Sequence, residues 1–351
     1  MKKLLAVAAI MLLAGSCAFA FGGKKGNDTL ELVPVMNYKT EQQNRVWVGT
    51  FQLVWNDLMD YIVKGPVVFE NEKSPLAKQL NKQKFKAEML NENSYYKAYG
   101  VISPELKTQI ETGIKEKFNE TSDILNSLDW NPGPEKYLVY AMLKKDFKFI
   151  TAFDKLKPGR FGNSRAKVEY FGIDKNSDEI LDKTVHVLFY NSVDDFAISI
   201  NTQTDDILYL YRTSDDKPFD KLYSDMNMKK AGYTGFRAFN EKDVLKVPNL
   251  SLFKEQSYPQ LCNKPIKNTK MMISDALQTV DFKMDNEGVK LKSEAAIATV
   301  MSAMPVFEKP QPRKFYLDDT FVLFLQEGGK KLPYFALRVD DVEFVNKTGR
   351  K

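Results

Sequence analysis

The sequence has very little of what catalytic and metal sites are usually built from. Its 351 residues include a single histidine, His186, and two cysteines. His186 lies between two valines in the strand-like run KTVHVLFY, which indicates a structural role, and so few histidines and cysteines argue against a transition-metal site. A glycine-rich phosphate loop in a strand-loop-helix setting is also missing. We therefore expect a protein that is not an enzyme and that binds no cofactor and no metal.

Basic tracts are absent as well. The 51 Lys and Arg residues are interspersed with 46 Asp and Glu residues, which leaves a formal net charge of +5. A nucleic-acid surface needs basic residues gathered on one face or in one run. Nucleic acid is therefore not an expected partner.

The N-terminus, in contrast, carries an apolar run. Residues 1–20 read MKKLLAVAAIMLLAGSCAFA, which predicts a signal peptide cleaved before Phe21. Alternatively, LAGSC is similar to a lipoprotein signal that would place a lipid on Cys17. Both alternatives export the protein to the periplasm, the cell envelope or the extracellular space, with membrane contact only through the lipid. Cys262 then stands alone and cannot form an internal disulfide.

In the rest of the chain, the pattern of apolar residues changes from helix-like to strand-like. Residues 21–43 are expected to form a flexible leader and residues 44–351 a single domain. The apolar spacing predicts helices over Asn44–Val63, after Ser74-Pro75, and over Ser103–Leu128, where Ser103 is the expected N-cap. The later half carries the strand-like runs KVEYFGI, TVHVLFY, FAISINT and DILYLYRT. Helices that come early and strands that come later predict an α+β fold.

Four later segments, in order and spacing, resemble the serpins, with the chain as a divergent member of bacterial type. From about Tyr137 onward, YLVYAMLKKDFKFITAF is similar to the family's long central strand, and VLKVPNLSL to a strand with a proline. MMISDALQTVDFKMDNEG is similar to the strand that leads to the family's hinge. KFYLDDTFVLFLQEGGKKLPYFALRVDD is similar to its closing hairpin.

The resemblance implies a fold and an activity. A serpin has a large mixed or antiparallel central sheet, further sheets, and an exposed reactive loop near the C-terminus. Cleavage of this loop by a target protease lets it insert into the sheet, and the strain that is released traps the acylated protease. The expected function is thus suicide-substrate inhibition of a serine or cysteine protease. The expected partner is an extracellular protease, and the inhibitor itself is expected to be a monomer.

The resemblance also implies where the loop lies. Its hinge residues are Gly288, Val289, Ser293, Ala295 and Ala296. The scissile bond is Val306-Phe307 when counted back from the closing hairpin, and Ser302-Ala303 when counted forward from the hinge, because VKLK (residues 289–292) acts as an insertion. If the loop inserts, period-two alternation would turn Val289, Leu291, Ser293 and Ala295 inward and the charged residues between them outward. A helix over the same stretch is the alternative interpretation.

Three positions depart from the family's pattern. Gln278 replaces a histidine and Ala141 an asparagine where the sheet opens, and Phe149 replaces a tryptophan where the loop enters. These changes leave a second function open, namely a non-inhibitory serpin-like protein, secreted or lipid-anchored, with a binding or structural role.

Overall fold

The computed structural model describes residues 29–70, 72–122, 124–131, 136–291, 311–341 and 343–348, which contain four α-helices, a π-helix that continues the first of them over Leu58–Val63, short 3₁₀ helices and seventeen strands. The helices are α1 (Thr50–Asp57), α2 (Pro75–Leu80), α3 (Pro104–Phe118) and α4 (Phe219–Gly232). The strands are β1 (Leu30–Val33), β2 (Asn44–Val48), β3 (Tyr95–Val101), β4 (Tyr137–Leu143), β5 (Lys145–Lys148), β6 (Asp154–Arg160), β7 (Lys167–Ile173), β8 (Val185–Ser192), β9 (Asp195–Asn201), β10 (Asp206–Arg212), β11 (Val244–Pro248), β12 (Leu250–Ser257), β13 (Leu277–Met284), β14 (Gly288–Leu291), β15 (Lys314–Tyr316), β16 (Phe321–Glu327) and β17 (Phe335–Val339).

A seven-stranded sheet, which we call the main sheet, forms the centre of the molecule. Its strand order is β1-β2-β17-β16-β10-β9-β8. Every residue of β16 and of β17 is buried. Strands buried on both faces read as continuous apolar runs, which is why FVLFLQE and FALRV lie in the middle of this sheet.

A second sheet is divided, and we call it the slotted sheet. One part has the order β12-β13-β14-β5, and the other is the pair β3-β4. Because β4 leads into β5 through Lys144, the two parts belong to one layer. Helix α3 covers one face of the β3-β4 pair through Ile110, Ile114 and Phe118, which cluster with Tyr140. On the opposite face, Ala141 packs against the main core.

A third sheet, of order β15-β11-β7-β6, holds the segment that follows the loop region. Its edge strand β15 pairs in parallel with β11 over three residues. The phenyl ring of Phe315 enters the core, with its centroid 5.2 Å from that of Phe196. The start of the closing hairpin is therefore fixed in a different sheet from β14.

Local sequence signals explain several helix boundaries. The side chain of Ser103 accepts a hydrogen bond from Leu106 N at the start of α3, and that of Ser74 accepts one from Ala77 N at the start of α2. Both serines satisfy backbone donors that the first turn leaves free. The N-cap prediction is confirmed. Helix α3 ends at Phe118 and not at the predicted Leu128, because Asn119 adopts a left-handed conformation with φ 52°.

The N-terminal half differs from its expected form in two places. The helix expected over Asn44–Val63 begins only at Thr50, because residues 44–48 are buried between β1 and β17 as a strand. Residues 30–33, expected within the flexible leader, form β1 and pair in parallel with β2. The expectation of a flexible leader is therefore wrong for these four residues. Pairing with neighbouring strands overrides the helical spacing of the apolar residues at 44–48. It also overrides the polar sequence around residues 30–33.

Among the residues described, no helix has both the length and the apolar character needed to span a bilayer.

Candidate functional site: an incomplete strand position in the slotted sheet

Gly288 and Val289, the first two residues expected in the hinge, lie in a strand. Strand β14 lies between β13 and β5 and runs antiparallel to both, with Val289 opposite Met284 on one side and Phe147 on the other. Two backbone bonds hold the turn before it, since Phe149 N donates to Glu287 O and Phe153 N to Asn286 O, both at 2.9 Å. The chain therefore enters the sheet at Gly288.

Side-chain burial in β14 alternates. Val289 is 0% exposed and Leu291 is 6% exposed, whereas Lys290 is exposed to solvent. This is the alternation expected for these three residues in an inserted strand, and it keeps the charge of Lys290 out of the sheet interior. Lys292 lies outside the described residues.

Gly288 is the point of closest approach to β5. A Cβ atom at this position would lie 2.1 Å from the carbonyl oxygen of Phe147 and 2.8 Å from the Cα atom of Lys148. Real Cβ atoms do not approach backbone so closely, so only glycine fits here without a shift of a strand. The glycine that the sequence suggested as the start of the hinge therefore has a steric function.

Beyond Leu291, no described residue occupies the continuation of this strand position, and we call this gap between β4 and β13 the slot. Among the described strands, β4 pairs with β3 alone, and residues 277–282 of β13 pair with β12 alone. Two adjoining cavities, of ≈ 100 Å³ and ≈ 120 Å³, lie between these strands and α1. The first begins at Leu291 and both are lined by Ala141 and Leu277. The slot therefore extends from the end of β14 along the whole of β4.

The residues that depart from the family pattern line this region. Gln278 is buried in the slot, where its Nε2 donates to Thr50 Oγ1 at 2.9 Å and its Oε1 accepts from Tyr258 OH at 3.1 Å. The first bond goes to α1 and the second to the residue after β12, so neither reaches β4 on the other wall of the slot. Ala141 offers only a methyl group on the opposite wall. Phe149 is buried at the entry and packs edge-on against Phe153, with ring centroids 5.1 Å apart.

A buried ionic cluster lies beneath the entry, and we call it the Lys145 cluster. Lys145, the register partner of Leu291, places its Nζ 2.9 Å from Asp206 Oδ1 and 2.5 Å from Glu327 Oε1. Side-chain exposure is 7%, 6% and 5% for these three residues. One lysine thus joins β5 to two carboxylates of the main sheet.

Neutral donors complete the Lys145 cluster. Ser94 Oγ donates to Glu327 Oε1 at 2.8 Å, and Tyr334 OH donates to Asp206 Oδ1 at 2.9 Å. Burial, together with the nearby Asp206 carboxylate, holds the pKa of the Tyr334 phenol well above its usual value, so the phenol stays protonated and remains a donor. The cluster also ties the residue just before β3 to the same point as β5.

The C-terminal side of the loop region ends at a second ionic anchor. Arg313 Nη2 lies 2.7 Å from Asp243 Oδ2, and the Asp243 side chain is 0% exposed. The same carboxylate accepts from the backbone N of Arg313 at 2.8 Å, and Arg313 Nη1 donates to Phe236 O at 2.7 Å. The chain therefore returns to a fixed point in the third sheet directly before β15.

Most of the proposed loop residues fall outside this geometry. Gly288 and Val289 are placed as stated, whereas Cys17, Ser293, Ala295, Ala296, Ser302, Ala303, Val306 and Phe307 lie outside the described residues.

His186 and Cys262, the residues with latent chemistry, do not line the two cavities of the slot. The ring Nε2 of His186 lies 3.3 Å from Asn201 Nδ2 on the surface of the main sheet. Burial raises the pKa of the Cys262 thiol, which keeps it in the unreactive protonated form. Within the part of the chain that the structure describes, no group of three or more His, Cys, Asp or Glu side chains could hold a metal ion.

Comparison with solved structures identifies the fold. A tumour-suppressing serpin is similar with a TM-score of 0.51 and 10% sequence identity, over 85% of this chain and 92% of that chain. Serpin48 of the insect Tenebrio molitor gives 0.49 and 14%, over 84% and 91%. Human glycosylated kallistatin gives 0.49 and 10%, over 85% and 91%. No protein-family model and no curated protein matches the sequence. The chain has a serpin-like α+β fold, as its resemblance implied.

Substitution of Gly288 by alanine should disturb the hinge. The added methyl group would overlap the backbone of β5, so we expect the variant to lose about 1–3 kcal/mol of unfolding free energy. Gly65→Ala is the matched control, because a Cβ at Gly65 has no atom within 4 Å. Urea unfolding of both variants measures the difference. Equal stability of the two variants would show that β14 does not pair as described.

Substitution of Lys145 by methionine should leave two buried carboxylates without a cation. Breaking a buried ionic pair in this way costs about 3–5 kcal/mol. Lys148→Met serves as the control on the same strand, since Lys148 is exposed. Thermal and urea unfolding give the comparison. A loss as small as that of the control would mean that the Lys145 cluster does not hold β5 in place.

Proposed function

We propose that this chain, which has a serpin-like fold, is an exported suicide-substrate inhibitor of serine or cysteine proteases. The observation that carries the proposal is β14: residues 288–291, which include the expected hinge residues Gly288 and Val289, form a strand between β13 and β5. Beyond them, β4 and residues 277–282 of β13 each have only one partner strand among the described strands. A sheet with one strand position only partly filled can gain backbone hydrogen bonds when the rest of the strand arrives.

The two registers of β14 agree on where an extended strand would lie. Leu291 pairs with Lys145 and Val289 pairs with Met284. Continued along the chain, both registers bring Ala295 opposite Ala141 on β4 and opposite Gln278 on β13. The seven residues of β4 would pair with residues 293–299. On this register Ser293 and Ala295 continue the inward face of Leu291, and Ala296 faces outward.

The proposed reaction begins as ordinary proteolysis. The nucleophile of the target protease attacks the carbonyl carbon of Val306, the Val306-Phe307 bond breaks, and the new amine of Phe307 leaves with the C-terminal piece. The alternative bond is Ser302-Ala303. The acyl bond now joins the protease to a strand that is free to enter the slot. The Arg313–Asp243 anchor retains the C-terminal piece, because it lies beyond both candidate bonds.

Small, uncharged residues at the inward positions of the loop should be needed for inhibition, and without them the target protease should simply cleave the chain. We expect the mature protein to form an adduct with an elastase-, chymotrypsin- or papain-like protease that survives denaturing electrophoresis. Ala295→Arg should abolish the adduct and yield only cleaved chain, because a charge would have to enter the slot beside Gln278. Ala296→Arg, the matched control, should still form the adduct because its side chain faces solvent.

Clean cleavage of the parent protein by every protease, without any adduct, would contradict inhibition. The melting temperature of the nicked protein then separates the remaining alternatives. A rise would indicate strand insertion without trapping. An unchanged value would favour the non-inhibitory binding or structural role.

We also propose that residues 1–20 export the chain, either by cleavage before Phe21 or by lipidation of Cys17. Metabolic labelling with a radioactive fatty acid distinguishes the two routes. A lipoprotein would carry label that Cys17→Ala removes, whereas a secreted protein would carry none. Full-length protein retained in the cytoplasm with an intact N-terminus would contradict export by either route.

A further inference from the structure

The Lys145 cluster contains a nucleophile that the proposed inhibition does not use. A lysine amine can form an amide with a neighbouring carboxyl group where the two groups touch, water is excluded, and a further group transfers the protons. A structural ion pair requires only the contact. Each of these conditions can be compared with the geometry of the cluster.

The amine of Lys145 lies against the carboxyl group of Asp206. Lys145 Nζ is 2.9 Å from Asp206 Oδ1 and 3.3 Å from Asp206 Oδ2. An amine that touches both oxygens of a carboxyl group is also next to its carbon, and reacting atoms need a separation of about 3–3.5 Å. Glu327 instead approaches the amine with Oε1, at 2.5 Å, while its Oε2 accepts from the backbone N of Asn91. Asp206 is therefore the carboxyl group whose carbon the amine can attack.

The cluster is closed to bulk solvent. The side chains of Lys145, Asp206 and Glu327 are each no more than 7% exposed. Tyr334 covers them with a fully buried ring, whose centroid is 5.1 Å from Lys145 Nζ. Three formal charges are thus buried together, and each costs desolvation free energy. An amide between Lys145 and Asp206 reduces these three charges to one.

Glu327 is placed to transfer protons. It lies directly opposite Asp206 in the pairing of β10 with β16, so that the two carboxylates flank one amine. Ser94 Oγ donates to Glu327 Oε1 at 2.8 Å, which helps to fix the position of this oxygen. A carboxylate held beside both the nucleophile and the group under attack can accept a proton from one and return it to the other.

The two oxygens of Asp206 have different neighbours. Tyr334 OH donates to Oδ1 at 2.9 Å, and Thr204 Oγ1 donates to Oδ2 at 3.0 Å. Burial, with the Asp206 charge beside it, raises the pKa of the Tyr334 phenol, which therefore remains a donor. A fixed donor stabilises the negative charge that develops on an oxygen under attack. Oδ1 is therefore suited to become the amide oxygen, and Oδ2 to leave.

We propose that Lys145 and Asp206 join in a spontaneous isopeptide bond, with Glu327 as the proton carrier. One proton passes from Lys145 Nζ to Asp206 Oδ2, and the neutral amine attacks Cγ. Glu327 Oε1 takes a second proton from the nitrogen and delivers it to Oδ2, which leaves as water. The Nζ–Cγ bond forms, the Cγ–Oδ2 bond breaks, and Glu327 returns to its carboxylate form. The ionic cluster is the state that precedes this bond.

The bond fixes one wall of the entry to the slot. Lys145 lies on β5 of the slotted sheet and Asp206 on β10 of the main sheet, so the bond joins two layers. Lys145 is also the register partner of Leu291, which places the bond beside β14. A wall that cannot separate from the main sheet suits an inhibitory and a non-inhibitory protein alike. The inference is therefore independent of the proposed inhibition.

Mass spectrometry of the mature protein tests the bond. The denatured chain should be lighter than an unlinked chain by the mass of one water, and trypsin should release a branched peptide that joins Lys145 to Asp206. Lys145→Arg should show the full mass of its own sequence and no branched peptide, because it lacks the amine. Asp205→Asn changes the exposed neighbouring carboxylate. As the matched control, it should keep both signals.

Two further variants test the roles of the other groups. Glu327→Gln should leave most chains unlinked, since an amide cannot accept the proton. Tyr334→Phe keeps the ring but loses the donor, and it should lower the linked fraction in samples taken at intervals after synthesis. This second variant covers the case that Glu327→Gln fails to fold. The full unlinked mass of the parent protein would overturn the proposal. A loss of water located elsewhere, a branch from Lys145 to Glu327, or unchanged linkage in both variants would overturn it as well.

Discussion

Two strand edges that face each other without pairing are the constraint on which the rest of this molecule depends. Buried backbone donors and acceptors need partners, yet β4 and the first part of β13 each have only one neighbouring strand among those described. Strand β14 closes the gap for four residues and then reaches the slot. Among the described residues, the strand position between these two edges is therefore occupied only at its β14 end. Everything proposed for the loop follows from that condition.

The two ends of the loop region are held in different sheets by different buried charges. At the entry, Lys145 holds β5 against Asp206 and Glu327, so β14 has a rigid wall to pair with. At the exit, Arg313 and Asp243 hold the chain in the third sheet. Each residue that moves into the slot would take about 3.3 Å of chain down it and would shorten the free connection to Arg313. In the proposed mechanism, cleavage of the backbone separates the inserting strand from Arg313. The strand can then move into the slot without stretching this connection.

Local chemistry made part of this arrangement predictable. The Ser103 cap and the inward and outward alternation of Val289, Lys290 and Leu291 depend on near neighbours, and both were readable from sequence. The family resemblance supplied the fold, because four motifs in the right order constrain the connections between strands. The helix expected over Asn44–Val63 was wrong for its first six residues, five of which form β2, since burial between two strands decides their conformation.

The Lys145 cluster was not predictable from the same reasoning. Lys145 and Glu327 are 182 positions apart, and a lysine in the run LKKDF gives no sign that it is buried. Single-sequence patterns report periodicity and turn chemistry, and they do not report which distant side chains meet.

The departures from the family pattern acquire a physical meaning in the slot. Gln278 directs its amide toward α1 and Tyr258, and Ala141 on the facing wall cannot form a side-chain hydrogen bond. Opening the slot therefore breaks no bond between these two side chains. A strand that enters must satisfy the facing backbone edges and fit a small residue beside the methyl group of Ala141, which is what Ala295 provides on the continued register. If the loop inserts as proposed, these substitutions would lower the resistance to insertion at this point, and the two anchored ends of the loop region would restrain the uncut chain.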